Sequence, residues 1–235
     1  MKNRIVIFFI ILLQVFFVNK VFSKEVEFKA SEIEISNDKN ITTAYEGIAI
    51  IKDDNIKIEG AKIEYLKKQE LLRVEVGKIT TLDENLEIIS DNIKYKIDKS
   101  ELNFLQNVKI TEKLNNLLII TDEISYDVES QKIESKKYSE LKDDLGNIYQ
   151  VEEFEYSLKE KIIKLNDVNI IDREENLFKI DLAFLDLNKK ELIAKDIDLN
   201  FKISPDSENE PRLKGRSLIS DKNNKSLKIK RFVKK

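Results

Sequence analysis

Long stretches of this chain alternate apolar and polar residues, as in Ile56-Lys57-Ile58-Glu59 and Val108-Lys109-Ile110-Thr111. Period-two alternation is the signature of a half-buried β-strand, and Ile and Val suit a pleated surface. No stretch of comparable length carries a persistent helical stripe. Turn-forming clusters separate the strands: Asp53-Asp54-Asn55, Asp83-Glu84-Asn85, Asn115-Asn116, Asp143 to Asn147, and Glu174-Glu175-Asn176. Inside the longer segments the alternation changes phase. Ile56 and Ile58 occupy even positions, Ile63 and Tyr65 odd ones, with Gly60-Ala61 between them; Ser90-Asp91 holds the matching place one unit later. A one-residue slip flips every following side chain to the other face, so a phase change marks a bulge or bend. A bend repeated at the same place predicts two facing sheets with their apolar faces inward.

The segments recur. Ile33, Ile63, Ile93, Ile124, Phe154 and Phe184 stand 30 or 31 residues apart, and Tyr65, Tyr95, Tyr126 and Tyr156 follow four of them by two places. A fixed period of this length marks stacked copies of one supersecondary unit, each burying its apolar face against its neighbours. An ordinary antiparallel meander with accidental regularity is the alternative. Both are all-β.

Residues 1–23 form a signal-peptide pattern: Met1-Lys2-Asn3-Arg4, an apolar run from Ile5 to Val18, and Val21-Phe22-Ser23 ahead of a cleavage point. The apolar run is short of the ~20 residues that span a bilayer, which favours an exported, cleaved chain over a membrane anchor. The repeats occupy residues 24–203. Residues 204–235 hold both prolines, at 205 and 211, and a basic tail that ends too soon to build its own core.

Without Lys2, Arg4 and Lys20 the chain has 38 basic and 44 acidic residues, a net charge of −6. Residues 212–235 carry ten basic residues and one acidic one, which leaves −15 on residues 24–211. That acidic body disfavours nucleic acid, whose binding rests on phosphate neutralisation. The tail is either a solvated segment or a contact for anionic lipid.

Histidine and cysteine are absent, which excludes the usual triads and zinc sites. No glycine-rich phosphate loop or nucleophile elbow occurs. Asp53-Asp54 lacks the spaced oxygen ligands of a calcium loop and serves as a turn without metal. Most carboxylates alternate with apolar residues, as Glu32 and Glu34 do, and so belong to the wet face of a sheet. The pattern therefore predicts neither an enzyme nor a cofactor or metal site. What it offers is a long apolar inner face. Its candidates are Ile48, Ile50, Ile63, Tyr65, Ile79, Ile93, Tyr95, Val108, Ile110, Ile124, Tyr126, Phe154, Tyr156, Val168 and Ile170. These residues fit a packed core and a lipid groove equally well.

Three phrases narrow the choice: Tyr45-Glu46-Gly47-Ile48-Ala49-Ile50; Ser90-Asp91-Asn92-Ile93-Lys94-Tyr95, followed by Leu102 and Asn107-Val108-Lys109-Ile110; and Thr121-Asp122-Glu123-Ile124-Ser125-Tyr126. Over residues 26–203 this pattern resembles the OstA-like repeat of the lipopolysaccharide transport proteins. That family comprises the periplasmic bridge protein LptA and the N-terminal domain of the outer-membrane assembly protein LptD. The segment Arg212-Leu213-Lys214-Gly215-Arg216-Ser217 resembles the lead-in to the LptD barrel, and the chain stops at Lys235 before any barrel, as a fragment or truncated product would.

The resemblance implies a V-shaped β-jellyroll (a β-taco) of antiparallel strands. It also implies a periplasmic, outer-membrane-associated role: lipid A acyl chains between the sheets, and an LptA-like bridge protein joined by edge-strand pairing. An LptE-like lipoprotein partner follows only if a barrel is present. A stand-alone bridge protein and a structural or adhesive β-repeat protein with a dry core remain the alternatives.

Overall fold

The alternating runs become strands, and each long strand pairs antiparallel with the long strands beside it in sequence or with the short pairs that replace one. The computed structural model describes residues 24–173, 175–200, 212–221 and 226–233. The strands are β1 (Glu27–Lys29), β2 (Glu32–Ile35), β3 (Ile41–Ile51), β4 (Ile56–Leu66), β5 (Leu71–Thr81), β6 (Leu86–Lys96), β7 (Glu101–Glu112), β8 (Leu117–Asp127), β9 (Lys132–Ser135), β10 (Ser139–Lys142), β11 (Ile148–Ser157), β12 (Ile162–Ile171), β13 (Leu177–Asp186), β14 (Glu191–Asn200), β15 (Arg212–Asp221) and β16 (Ser226–Val233). They form one sheet in near-sequential order. β1 and β2 both pair with β3, and β9 and β10 both pair with β8 and β11, so each short pair takes the place of one long strand.

The expected phase change is a bend. In β3, β4 and β5 the register passes from Tyr45–Lys62 to Gly47–Gly60 and from Gly60–Gly77 to Lys62–Glu75, leaving Glu46, Ala61 and Val76 unpaired. The line of skipped residues continues through Asp91, Gln106-Asn107, Asp122, Glu152, Asp167, Asp181 and Asp196. Skipping one residue restores the inward parity on both sides of the bend, so the sheet folds on itself as two layers. Layer one contains Gly47–Ile51, Ile56–Gly60, Gly77–Thr81 and their counterparts; layer two contains Ile41–Tyr45, Lys62–Leu66, Leu71–Glu75 and theirs. This is the all-β arrangement of two facing layers expected from the pattern, and the folded form that the family resemblance implied.

Glycine and hydroxyl side chains make the bend possible. Gly47, Gly60, Gly77 and Ser90 lie opposite one another at the base of layer one. A Cβ on Gly60 would stand 2.3 Å from Val74 Cγ1, and one on Gly77 2.6 Å from the same atom. Farther along, Ser90 Oγ donates to the Leu105 carbonyl (2.8 Å), Ser135 Oγ to Glu123 (2.8 Å) and Ser139 Oγ to Lys137 (2.8 Å). These hydroxyls satisfy carbonyls that the interrupted ladder leaves open. Strands running from layer two into layer one take the bend with positive φ, at Glu46 (45°), Val76 (46°), Gln106 (69°), Asp167 (49°) and Asp196 (53°).

The turns stack into two rims opposite the bend. On the rim of layer two, backbone N–H groups donate from Lys67 to Asn40 O, Ile97 to Glu70 O, Val128 to Ser100 O, Leu158 to Gln131 O and Leu187 to Lys161 O, at 2.8–2.9 Å. On the rim of layer one, Asp83, Asp143 and Asp172 accept from the backbone N–H of Asn85, Asn147 and Asn176, the local bonding that makes Asp and Asn turn residues.

The signal-peptide segment 1–23 and the proline segment 204–211 lie outside the described residues. Past the latter, β15 pairs with β14 and β16 with β15. The sequence pattern implied a tail there; these segments instead extend the sheet. Leu227-Lys228-Ile229-Lys230 has the same alternation as the earlier strands, hidden in a run dominated by its cations.

Candidate functional site

The space between the layers is lined by rows that run across every strand. In layer one, Ala49, Ile58, Ile79, Ile88, Ile110, Ile119, Leu141, Tyr149 and Ile170 lie opposite one another in turn. In layer two, Ile63, Val74, Ile93, Phe104 and Ile124 form one row, which Phe154, Leu165 and Ala183 continue. All are buried. Burying an Ile or Phe side chain contributes about 1.5–3 kcal/mol, and each row spans several repeats, so the array is stabilised as one body.

The structure brings together most of the predicted inner residues. Ile63, Ile79, Ile93, Tyr95, Val108, Ile110, Ile124, Tyr126, Phe154, Tyr156, Val168 and Ile170 are buried between the layers. Tyr65 is half-buried against the same core, its ring 6.1 Å from that of Phe28. Ile48 and Ile50 are corrections. They face outward, opposite Glu59 and Lys57, while Gly47, Ala49 and Ile51 face in. Ile48-Ala49-Ile50-Ile51 is apolar at both parities, so only the bulge at Glu46 fixes the face. The repeat markers also fail at both ends. Phe184 lies outside, because Ala183 takes the inner position, and Ile33 sits opposite Ala44 on an exposed edge. Leu72, Leu102, Ile133 and Ile163 are inner residues that the pattern missed; the unbroken two-residue alternation within each strand half was the signal that finds them.

The recurring tyrosine has a position of its own. Tyr65, Tyr95, Tyr126 and Tyr156 occupy the inner row nearest the rim of layer two, at register positions shared with Leu72, Leu102, Ile133 and Ile163. The Tyr95 hydroxyl crosses to the other rim and donates to Asp54 Oδ2. Burial pushes the Tyr126 phenol up to about 12, with the charges of Asp127 and Asp54 adding to it. Burial also raises Tyr95, helped by Asp54, and raises Tyr156, helped by Glu112. The Tyr156 hydroxyl is buried without a hydrogen-bond partner.

Charged side chains close the open side of the V. Asp54 accepts from Lys24 Nζ (2.7 Å) and Ser100 Oγ (3.2 Å). Glu112 accepts from Lys161 Nζ (2.9 Å) and from the Asn115 backbone N–H (2.7 Å). Asp144 accepts from Lys190 Nζ (3.0 Å). In each case the carboxylate belongs to the rim of layer one. Ser100, Lys161 and Lys190 belong to the rim of layer two; Lys24 precedes β1. Glu112 is 1% exposed, whereas its partner Lys161 is 23% exposed. Among the described residues, openings lie between the rims. One, of about 250 Å³, is lined by Leu86, Glu112, Tyr126, Leu158 and Lys161 among others. Another, of about 120 Å³, lies between Asn115, Asp144, Leu187 and Lys190.

No protein-family model and no curated protein matches this chain. Among solved structures it is similar to LptH, the LptA homologous periplasmic component of the lipopolysaccharide transport device from Pseudomonas aeruginosa. The TM-score is 0.41 at 11% identity, over 47% of this chain and 80% of that one. The fold described above stands on strand register and burial.

Proposed function

We propose that this chain is a periplasmic carrier of lipopolysaccharide acyl chains, which it holds between its two layers without chemical conversion. The observation that carries this reading is the long, predominantly apolar interior, in which Ser135 is the polar member of the layer-two row. Its rows cross the strands from β3 to β14, and it is bounded on one side by a covalent bend and on the other by side chains alone. Such an interior extends with every repeat, which suits cargo passed along an array. The sequence resemblance to the OstA-like repeat supports the same reading and names the lipid.

The exposed edge at β2, with Ile33 and Ile35 facing solvent, offers a ladder for pairing with a like domain. Bridge-type assembly by edge pairing is part of the proposal. Arg212–Ser217, the segment resembling the lead-in to a barrel, lies within β15 and extends the array; this favours a bridge over a barrel-anchored role.

The interior is filled by the protein's own side chains, which is also what a structural repeat protein with a dry core would show. Photocrosslinking separates the two. A crosslinking residue replacing inward Ile93 or Tyr126 forms adducts with lipopolysaccharide, and one replacing outward Lys94 does not. Equal labelling at inner and outer positions, or none at the inner ones, would exclude the carrier reading.

A further inference from the structure

We propose that acyl chains enter the interior sideways, between the two rims, and that the rim clasps are the gate. This inference rests on the carrier reading. The bend cannot open, because each strand's backbone passes through it. Among the described residues the seam holds no strand-to-strand ladder between the layers; carboxylates of one rim meet lysines and hydroxyls of the other. The clasps recur at an offset of one and a half repeats: Asp54 to Ser100 is 46 residues, Glu112 to Lys161 is 49, and Asp144 to Lys190 is 46. Each therefore ties together turns of strands that are not ladder neighbours, and releasing it breaks no backbone hydrogen bond.

Glu112–Lys161 is the middle clasp and borders the larger opening. That opening is lined by charged and apolar groups together: Asp83, Glu112 and Lys161 stand beside Leu86, Leu114, Leu158 and Tyr126. Both the polar head and the apolar tail of an acyl-chain amphiphile find matching groups in such a mixed lining. Tyr156 stands nearby, within the field of Glu112, with a buried hydroxyl that has no partner. A head-group hydroxyl or carbonyl reaching past the opened clasp supplies one.

The chain has no cysteine, so paired cysteines report cleanly. Glu112→Cys with Lys161→Cys, and separately Asp144→Cys with Lys190→Cys at the more exposed third clasp, are bridged with a reducible bis-methanethiosulfonate reagent. Uptake of a fluorescent polyene fatty acid is then followed. Sealing either pair slows uptake at least about tenfold, as closing a lid does, and reductant restores it. Uptake that is unchanged by both seals shows that lipid enters from the ends of the array and overturns the gate. Failure of the reduced proteins and the unsubstituted chain to take up the probe overturns the carrier reading, and the gate with it.

Discussion

The bend and the seam are the two long edges of the same interior, and they are held by different forces. At the bend the contacts are covalent continuity, the Gly60 and Gly77 approaches to Val74, and hydroxyls bonded to backbone carbonyls. At the seam they are a few charge-assisted hydrogen bonds between side chains, whose lysines reach water. The first set has no alternative arrangement short of unfolding. The second can be released and remade one clasp at a time. A sheet folded on itself thus acquires a fixed spine and an adjustable opening from one repeated sequence.

Alkali tests this contrast most severely. Tyr95, Tyr126 and Tyr156 all lie at the seam, and each phenol is raised by burial. A phenol whose folded value is raised contributes stability that is fully present below the unfolded value of about 10 and is lost as pH rises through the folded value. For Tyr126 that window runs from about 10 to about 12. Circular dichroism and tyrosinate absorbance followed together therefore show cooperative unfolding in that range. Tyrosinate signal from these residues without loss of structure would show that the seam already admits water.

Overpacking the spine comes next. Gly60→Val places its Cβ against Val74 and costs about 3 kcal/mol, at the upper end of the usual range, read as a lower urea midpoint with unchanged slope. A cost below 0.5 kcal/mol, far under that range, would mean that the bend relaxes as readily as the seam.

At the seam, Lys161→Met leaves Glu112 buried and without its cation, at a cost of about 2 kcal/mol; the neighbouring opening to water keeps this below the usual figure for a buried pair. Adding Glu112→Gln recovers most of the loss, because the uncompensated charge goes with it. A double variant as unstable as the single one would place the clasp among the structural contacts. The smallest effect has the opposite sign. Val76 is β-branched, 66% exposed and held at φ 46°, a conformation such residues rarely adopt. Val76→Asn raises stability by about 1 kcal/mol through relief of that strain, measured in the same urea titration.

The alternation, the turns and the bend at Gly60-Ala61 were legible in the sequence because each is local. The bend has a further sequence trace: Glu46, Ala61, Val76, Asp91, Gln106, Asp122, Glu152, Asp167, Asp181 and Asp196 skip the ladder at steps of about 15 residues or their multiple. The unit that stacks is thus a hairpin of two bent strands. Ile48 and Ile50 were misplaced because an apolar run carries no parity. The clasps were invisible for another reason. Asp54 and Glu112 belong to turns and strand ends where acids are common, and their partners lie one and a half repeats away, at a distance set by how the layers close. No short-range pattern encodes that. The strands β15 and β16 were hidden by composition, since their cations outweighed a regular but short alternation.

The nearly sequential ladder has a consequence for length. Every hairpin adds two strands, and neighbouring strands stand about 4.8 Å apart, so each repeat lengthens the molecule by roughly 9–10 Å. Because each hairpin meets mainly the ones beside it, copies can be added or removed at the rim turns without changing the cross-section. The number of repeats is then a ruler: the gene sets how far the interior reaches by counting, and the residues within each copy set only what lines it.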